Sequence, residues 1–296
     1  MILTDIEKFT DFIPTAAGSD LNELKPFVDE AEFWLKNELL GYPLYYRIQQ
    51  FSENPPHGVF DNTFDYTFDE SIAPSDILKT AQLVVCLKAY ASAIPFVDLI
   101  QTANGFAVVS NTNQAPASKE RVERLIQWVD KRLSDALDNL ILFAFCYSEF
   151  RQLWQQEKAL FDTHTEIVFL TSNELRRYSG NKSAGFKDLD ICQPTVLYLQ
   201  SELANHISVA YMDELLEKRK NAQLNEFDRY VFRSVQAIAG LMFQKAPHYP
   251  LVEKLINYML NNPDHFPTYL SSQEYALKTA PKYENKKRDS TFFFGG

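Results

Sequence analysis

The longest periodic apolar pattern in the chain lies between residues 118 and 141, and it constrains the fold more than any other feature. Apolar side chains recur there every three or four residues, the spacing that lines one face of an α-helix. Charged residues, including Asp135 and Asp138, fall mostly on the other faces. Ser118 precedes the pattern and is predicted to be the N-cap, its hydroxyl accepting an amide proton of the first turn. The stripe comprises Val122, Leu125, Ile126, Val129, Leu133, Ala136, Leu137, Leu140 and Ile141.

Similar patterns recur along the chain and predict a mainly α-helical protein. Only nine of the 296 residues are glycine, which also favours helices over a β-sandwich or barrel. One helix is predicted from Leu24 to Leu40, with Phe33 and Trp34 in its apolar set and Gly41 just beyond its end. A short helix through Leu44 and Ile48 and a longer one over 77–94 follow. Residues 9–16 are predicted to be extended, and the helical pattern after residue 118 continues toward Trp154.

Two small β elements are predicted among these helices, at residues 59–69 and 104–113. In the first, aromatic residues alternate with acidic residues and threonine, as in an amphipathic strand. Its regularly spaced aspartates also suggest a calcium site, but the glycine-containing turn of such loops is missing. In the second, Asn104-Gly105 predicts a tight turn leading into a strand. The candidate interface residues of this hairpin are Asn104, Gly105, Phe106 and Val108.

The second half of the chain resembles the first, which predicts an internal duplication. Residues 252–259 (VEKLINYM) match residues 122–129 (VERLIQWV) identically or conservatively at all eight positions. Residues 191–203 align in the same order with residues 27–39, so that Glu202 corresponds to Glu38. The predicted organisation is therefore a first helical repeat over 1–160 and a second over 161–267. An extended C-terminal tail over 268–296 completes it.

The tail carries the most unusual composition in the chain. Polar and basic residues without apolar periodicity are not expected to fold alone. The chain then ends in three consecutive phenylalanines and two glycines. Such a tail is predicted either to be ordered by docking on a partner or to be a frayed end. Its candidate interface residues are Lys286, Lys287, Arg288, Phe292, Phe293 and Phe294.

Charge and hydropathy exclude several classes of partner. The formal net charge of −10 is inconsistent with a broad basic face that grips nucleic acid. The first residues lack the pattern of a signal peptide, and no apolar stretch is long enough to predict a membrane span. Three widely separated cysteines, Cys86, Cys146 and Cys192, are interpreted as buried free thiols rather than a disulfide or metal site.

The sequence contains no catalytic, metal-binding or cofactor-binding motif, and we predict neither an enzyme nor a cofactor. The five histidines are scattered, without zinc-ligand spacing, and no glycine-rich phosphate loop or nucleophile elbow is present. Glu38 and Glu202 occupy matching places, and two such carboxylates could do acid–base work. Their spacing from Leu35 and Leu199 instead predicts that each borders an apolar stripe.

Several runs together carry a resemblance to an uncharacterised family of structural proteins from Bacteroidetes phages and prophages. That family in turn resembles the head–tail connector (adaptor) proteins of tailed phages. The likeness covers most of the chain up to about residue 265, and its motifs are structural. The runs that carry it are Phe12–Ala16, Ala31–Gly41, Asn104–Val109 and Ala115–Val122.

The resemblance implies a virion component, assembled in the bacterial cytoplasm, that forms a homo-oligomeric ring between portal and tail proteins. It implies that double-stranded DNA passes through without specific binding. The chain departs from a usual connector in its duplication and its greater length. Two other hypotheses remain: a host-encoded helical adaptor that binds a peptide or protein between its two copies, and an enzyme whose site is assembled from dispersed residues.

Overall fold

The computed structural model describes residues 2–3, 8–14, 21–50, 76–96, 99–102, 105–108 and 118–280. These residues are mainly helical, as the sequence predicts. The acidic segment 59–69 and the tail residues 281–296 lie outside the described residues, and so does Asn104.

The helices of the first half agree with the apolar patterns that predict them. The predicted helix over 24–40 forms as α2, which continues without a break into a six-residue π-helix. The long helix α5 is followed directly by α6, which carries Trp154. The elements are α1 (Phe9–Phe12), α2 (Leu21–Trp34), the π-helix (Leu35–Leu40), α3 (Tyr42–Gln49), α4 (Asp76–Ala93), α5 (Lys119–Cys146), α6 (Ser148–Gln155) and α7 (Lys158–Thr165).

The second half is also helical through to residue 279. Four of its helices begin with side-chain caps, and two of these are capping boxes, at Thr171 with Glu174 and at Asn225 with Asp228. The elements are α8 (Ser172–Ser179), α9 (Phe186–Ile207), α10 (Val209–Lys220), α11 (Glu226–Phe243), α12 (Tyr249–Asn261), a 3-10 turn (Pro263–His265), α13 (Pro267–Leu270) and α14 (Gln273–Thr279).

A pair of antiparallel strands lies between α4 and α5. Strand β1 (Leu99–Thr102) pairs with β2 (Gly105–Val108), with Leu99 opposite Val108 and Thr102 opposite Gly105. Three of the candidate interface residues, Gly105, Phe106 and Val108, thus belong to β2. Whether this element is an insertion into a duplicated unit stays a prediction.

The buried side chains form two hydrophobic cores. One is built from residues 2–161 together with Leu170, and the other from residues 167–269. In the first, α4 packs between α2 and α5; in the second, α11 packs on α8, α9 and α12. Helix α5 also contacts α8 and α9, so it joins the two cores.

The matched eight-residue blocks share part of their burial pattern. Val129 in α5 and Met259 in α12 are both fully buried. Ile126, however, is exposed, whereas its counterpart Ile256 is buried. The order of helix contacts is similar in the two halves. In the first half α2 contacts α4, and α4 contacts α5. In the second half α9 contacts α11, and α11 contacts α12. The duplication and its boundaries stay predictions.

Four expectations from the sequence are wrong. Residues 9–12, expected to be extended, form helix α1, and residues 268–270 and 273–279 of the expected extended tail are helical. Ser118 is the N-cap of α5, as predicted, but its side chain makes no capping hydrogen bond. Asp138, placed away from the apolar stripe, is buried at 4% exposure, because helix α8 covers this side of α5.

Candidate functional site

The junction between α2 and α3 is a turn constrained by a glycine. Here the π-helix ends at Gly41, whose φ of +74° and ψ of 162° suit glycine alone. A Cβ at this position would lie 2.4 Å from Cγ of Glu157, the residue that precedes α7. Gly41 therefore fixes the angle between α2 and α3 and lets α7 pack closely against the junction.

Two side chains satisfy the carbonyl groups at the end of the π-helix. The indole Nε1 of Trp154 donates to the carbonyl oxygen of Leu39 at 2.9 Å. The ring nitrogen Nε2 of His164 lies 3.3 Å from the carbonyl oxygen of Glu38, and it must be the donor because a carbonyl only accepts. Such carbonyls have no partner within their own helix. Burial lowers the pKa of His164, which favours the neutral ring in this contact.

The Gly41 junction positions α2 and α3 as the two sides of an aromatic groove. Its exposed side chains are Phe33 on α2, at 62% exposure, and Tyr42 and Tyr46 on α3, at 61% and 47%. The two tyrosine rings stack with centroids 6.0 Å apart. The cavity has a volume of about 370 Å³ and is lined by Asp29, Glu32, Phe33, Lys36, Tyr42, Tyr45, Tyr46 and Gln49.

The floor of the aromatic groove is held by a buried carboxylate. Glu32 accepts a hydrogen bond from the Leu3 amide at 2.8 Å and another from the Tyr45 hydroxyl. Burial, with the Glu32 contact, raises the pKa of Tyr45, so this hydroxyl stays a donor. The groove is thus preformed: its floor is fixed by hydrogen bonds, and three aromatic rings are left facing solvent.

A second hollow, of about 350 Å³, lies on the other side of α3. Arg47 of α3 and Glu149 of α6 form an ion pair across it, with Nε 2.6 Å from Oε1. Tyr46 lines both hollows. The exposed face of α3 is therefore a hollowed surface with aromatic and charged groups, of the kind that contacts other proteins.

The buried side chain of Asp138 connects the two cores. Its carboxylate accepts hydrogen bonds from the Ser172 hydroxyl and from the backbone amides of Ser172 and Asn173, at 2.7–2.9 Å. These amides belong to the first two residues of helix α8. A guanidinium nitrogen of Arg176 also donates to Oδ2 of Asp138, at 3.4 Å. Burial raises the pKa of Asp138 to about 6, while these donors act in the opposite direction. The role of Asp138 is therefore structural, because the groups that bind its carboxylate belong to α8.

A second apolar surface lies on the other half of the chain. Ile191 and Tyr198 on α9 are exposed, with Pro194 between them on the same face. Leu277 of α14 is also exposed, and α14 packs on α9. Each half of the described chain thus presents an exposed apolar surface.

Of the predicted site residues, the structure describes only the three that lie in β2. Gly105, Phe106 and Val108 lie in β2, and Asn104 lies outside the described residues. The tail residues Lys286, Lys287, Arg288, Phe292, Phe293 and Phe294 lie outside them as well.

The two aligned glutamates do not form a pair in the described structure. Glu38 is exposed on the π-helix, whereas Glu202 is half-buried on α9.

In the described ranges, no group of three or more His, Cys, Asp or Glu side chains could hold a metal ion. No described helix is both long and apolar enough to cross a membrane. Cys86 and Cys146 are buried free thiols, whereas Cys192 is partly exposed.

Sequence reasoning missed the aromatic groove, although one signal pointed to it. Ala31, Phe33, Trp34 and Leu35 span an arc too wide for one buried face, because adjacent helical residues point about 100° apart. One of these side chains therefore had to face away from the core, and it is Phe33. The role of Asp138 gave no such signal, since aspartate in an amphipathic helix is usually solvated.

Comparison with known proteins gives one match. The model of a family of unknown function, DUF6712, matches residues 37–155. No curated protein and no solved structure matches the chain. The match begins within the π-helix and ends beside Trp154, so it includes α3 and the Trp154–Leu39 hydrogen bond. Over these residues the chain is similar to that family.

Proposed function

We propose that this protein is a virion structural component, a ring-forming subunit similar to the head–tail connectors that join portal and tail. The resemblance of its sequence to phage structural proteins suggests this role, and a mainly helical subunit is compatible with it. In this proposal the partners are further copies of the chain, the portal and the tail proteins. DNA passes through the ring, and the net charge of −10 disfavours its retention.

The observation that carries the proposal is the pair of exposed apolar surfaces, one in each half. A closed ring is built by heterologous contacts, in which one surface of a subunit meets a different surface of the next. The aromatic groove and the exposed face of α9 are two such different surfaces. In the proposed ring, each of these surfaces would be covered by the neighbouring subunit.

The aromatic groove also favours a second candidate, an adaptor that binds a peptide. Phe33, Tyr42 and Tyr46 could receive a peptide side chain in a monomeric host protein. That groove lies within the first half rather than between the two halves. The two candidates differ in the expected mass of the protein in solution.

The deciding experiment measures assembly of the full-length chain. Light scattering and negative-stain microscopy at increasing protein concentration should show closed rings. In this proposal, co-expression with the cognate portal protein should yield a complex that survives purification. A chain that stays monomeric or dimeric at high concentration, and does not bind the portal, would contradict the connector proposal.

A further inference from the structure

We infer that the aromatic groove between α2 and α3 is the receptor for the C-terminal tail, residues 286–294, of a neighbouring copy of the chain. That the tail comes from a neighbour rests on the proposed ring. The identification of the groove rests on its own geometry and on the chemistry of the tail.

The first argument is the match between the groove and the apolar part of the tail. Aromatic side chains pair favourably with one another beyond the area that they bury. The groove offers Phe33 on one side and the stacked Tyr42 and Tyr46 on the other. The tail offers Phe292, Phe293 and Phe294 in succession. A cavity of about 370 Å³ with a fixed floor can hold an aromatic side chain without rearrangement.

The second argument is charge. Residues 281–296 contain four basic and two acidic side chains, a net charge of +2, which leaves −12 on the rest of the chain. Two acidic residues, Asp29 and Glu32, line the groove against one basic residue, Lys36. Lys36 lies 5.9 Å from the centroid of Phe33, and Asp29 is exposed. The basic run Lys286–Arg288 can therefore approach Asp29 while the phenylalanines occupy the aromatic side.

The third argument is reach. The described chain ends at Ala280, just beyond α14, in the half of the chain that does not contain the groove. Sixteen further residues follow, and an extended segment of that length spans about 50 Å. Helix α14 packs on α9, whose exposed face is the second apolar surface. One contact between neighbours can thus combine the α9 face, the tail that starts beside it and the groove of the next copy.

The test is a photo-cross-link from the tail of the full-length protein. A benzophenone amino acid replaces Phe293, and unlabelled chains are mixed with chains uniformly labelled with ¹⁵N. We expect cross-linked peptides that pair the tail with residues 29–49, in mixed-isotope form, which shows that two copies are joined. Cross-links within a single chain, or to any other surface, would overturn the inference.

Matched variants test the groove itself. Phe33→Ser combined with Tyr46→Ser should reduce the mixed-isotope cross-link at least tenfold. Tyr249→Ser, at another exposed aromatic residue, should leave the cross-link unchanged. An equal effect of both changes would contradict the inference.

A charge exchange tests the same contact if the Phe33→Ser, Tyr46→Ser variant is too unstable to use. Changing Lys286, Lys287 and Arg288 to glutamate should weaken the cross-link, and Asp29→Lys should restore part of it. Weakening without any restoration would argue against Asp29 as a partner of the tail and would overturn this placement. If the protein forms no rings and does not bind the portal, yet gives the mixed cross-link, the connector proposal fails and the groove assignment stands. If rings form without a tail–groove cross-link, the connector proposal stands and the groove assignment fails.

Discussion

The Asp138 carboxylate accepts hydrogen bonds from the Ser172 hydroxyl at 2.7 Å and from the Ser172 amide at 2.8 Å. Asp138 lies on α5 and Ser172 is the first residue of α8. These contacts therefore connect a long helix of the first core with the start of the second half. The carboxylate accepts hydrogen bonds from the first two amides of α8, which have no partner within their own helix. Its negative charge is well placed at the positive end of that helix.

At pH 4, replacing Asp138 by asparagine should lower the free energy of unfolding by about 2–3 kcal/mol. The asparagine amide cannot accept all of the hydrogen bonds that the two carboxylate oxygens accept, and buried donors are left unsatisfied. Asp135→Asn is the matched control, since Asp135 also contacts Arg176, at 3.1 Å, but its side chain is half exposed. That change should cost less than about 1 kcal/mol. Urea unfolding of both variants measures the difference, and equal losses would contradict the role of Asp138.

The contribution of Asp138 should also depend on pH. Burial raises its pKa to about 6 in the folded protein, above the ordinary value of 3.8. The folded state then binds a proton more tightly than the unfolded state does, so the stabilisation is present below pH 3.8 and is lost as the pH rises through 6. The difference in unfolding free energy between the wild type and Asp138→Asn should therefore shrink by up to about 3 kcal/mol from pH 4 to pH 7. A difference that grows with pH would show that the amide donors and Arg176 outweigh burial.

Gly41 should tolerate no side chain. Gly41→Ala places a Cβ 2.4 Å from Glu157 Cγ at a backbone conformation that only glycine adopts readily, and we expect a loss of about 3 kcal/mol or more. Gly180→Ala is the control: its φ is also positive, at +69°, but the new Cβ would meet only the flexible end of Gln244 at 3.3 Å. That change should cost about 1–2 kcal/mol.

A third variant separates the two causes at Gly41. Combining Gly41→Ala with Glu157→Gly removes both overlapping atoms, Cγ at 2.4 Å and Cβ at 2.9 Å. It should recover the part of the loss that comes from the overlap, but not the part that comes from the backbone. Thermal or urea unfolding of the three variants gives the comparison. A Gly41→Ala protein as stable as Gly180→Ala would mean that α7 moves away from the junction without cost.

Deleting residues 102–113, which include strand β2, should leave a folded chain that assembles poorly. The prediction rests on the absence of a matching segment from the second half of the sequence. Circular dichroism and urea unfolding would establish the fold, and light scattering would measure assembly. If the deletion broadens the unfolding transition, the segment belongs to the first core and is not an interface element.

The sequence by itself determined the helical class, most helix positions and the end of the α2–π-helix segment at Gly41, because amphipathic periodicity and backbone preference are local properties. The tertiary structure decided which polar and aromatic residues are buried or exposed. Asp138 is buried because α8 lies across α5, and Phe33 is exposed because the apolar arc of α2 is wider than the neighbouring helices cover. Sequence periodicity gives the direction in which a side chain points from its own helix. What meets it there depends on contacts between residues far apart in the chain, such as Trp154 with Leu39, and no local pattern encodes these.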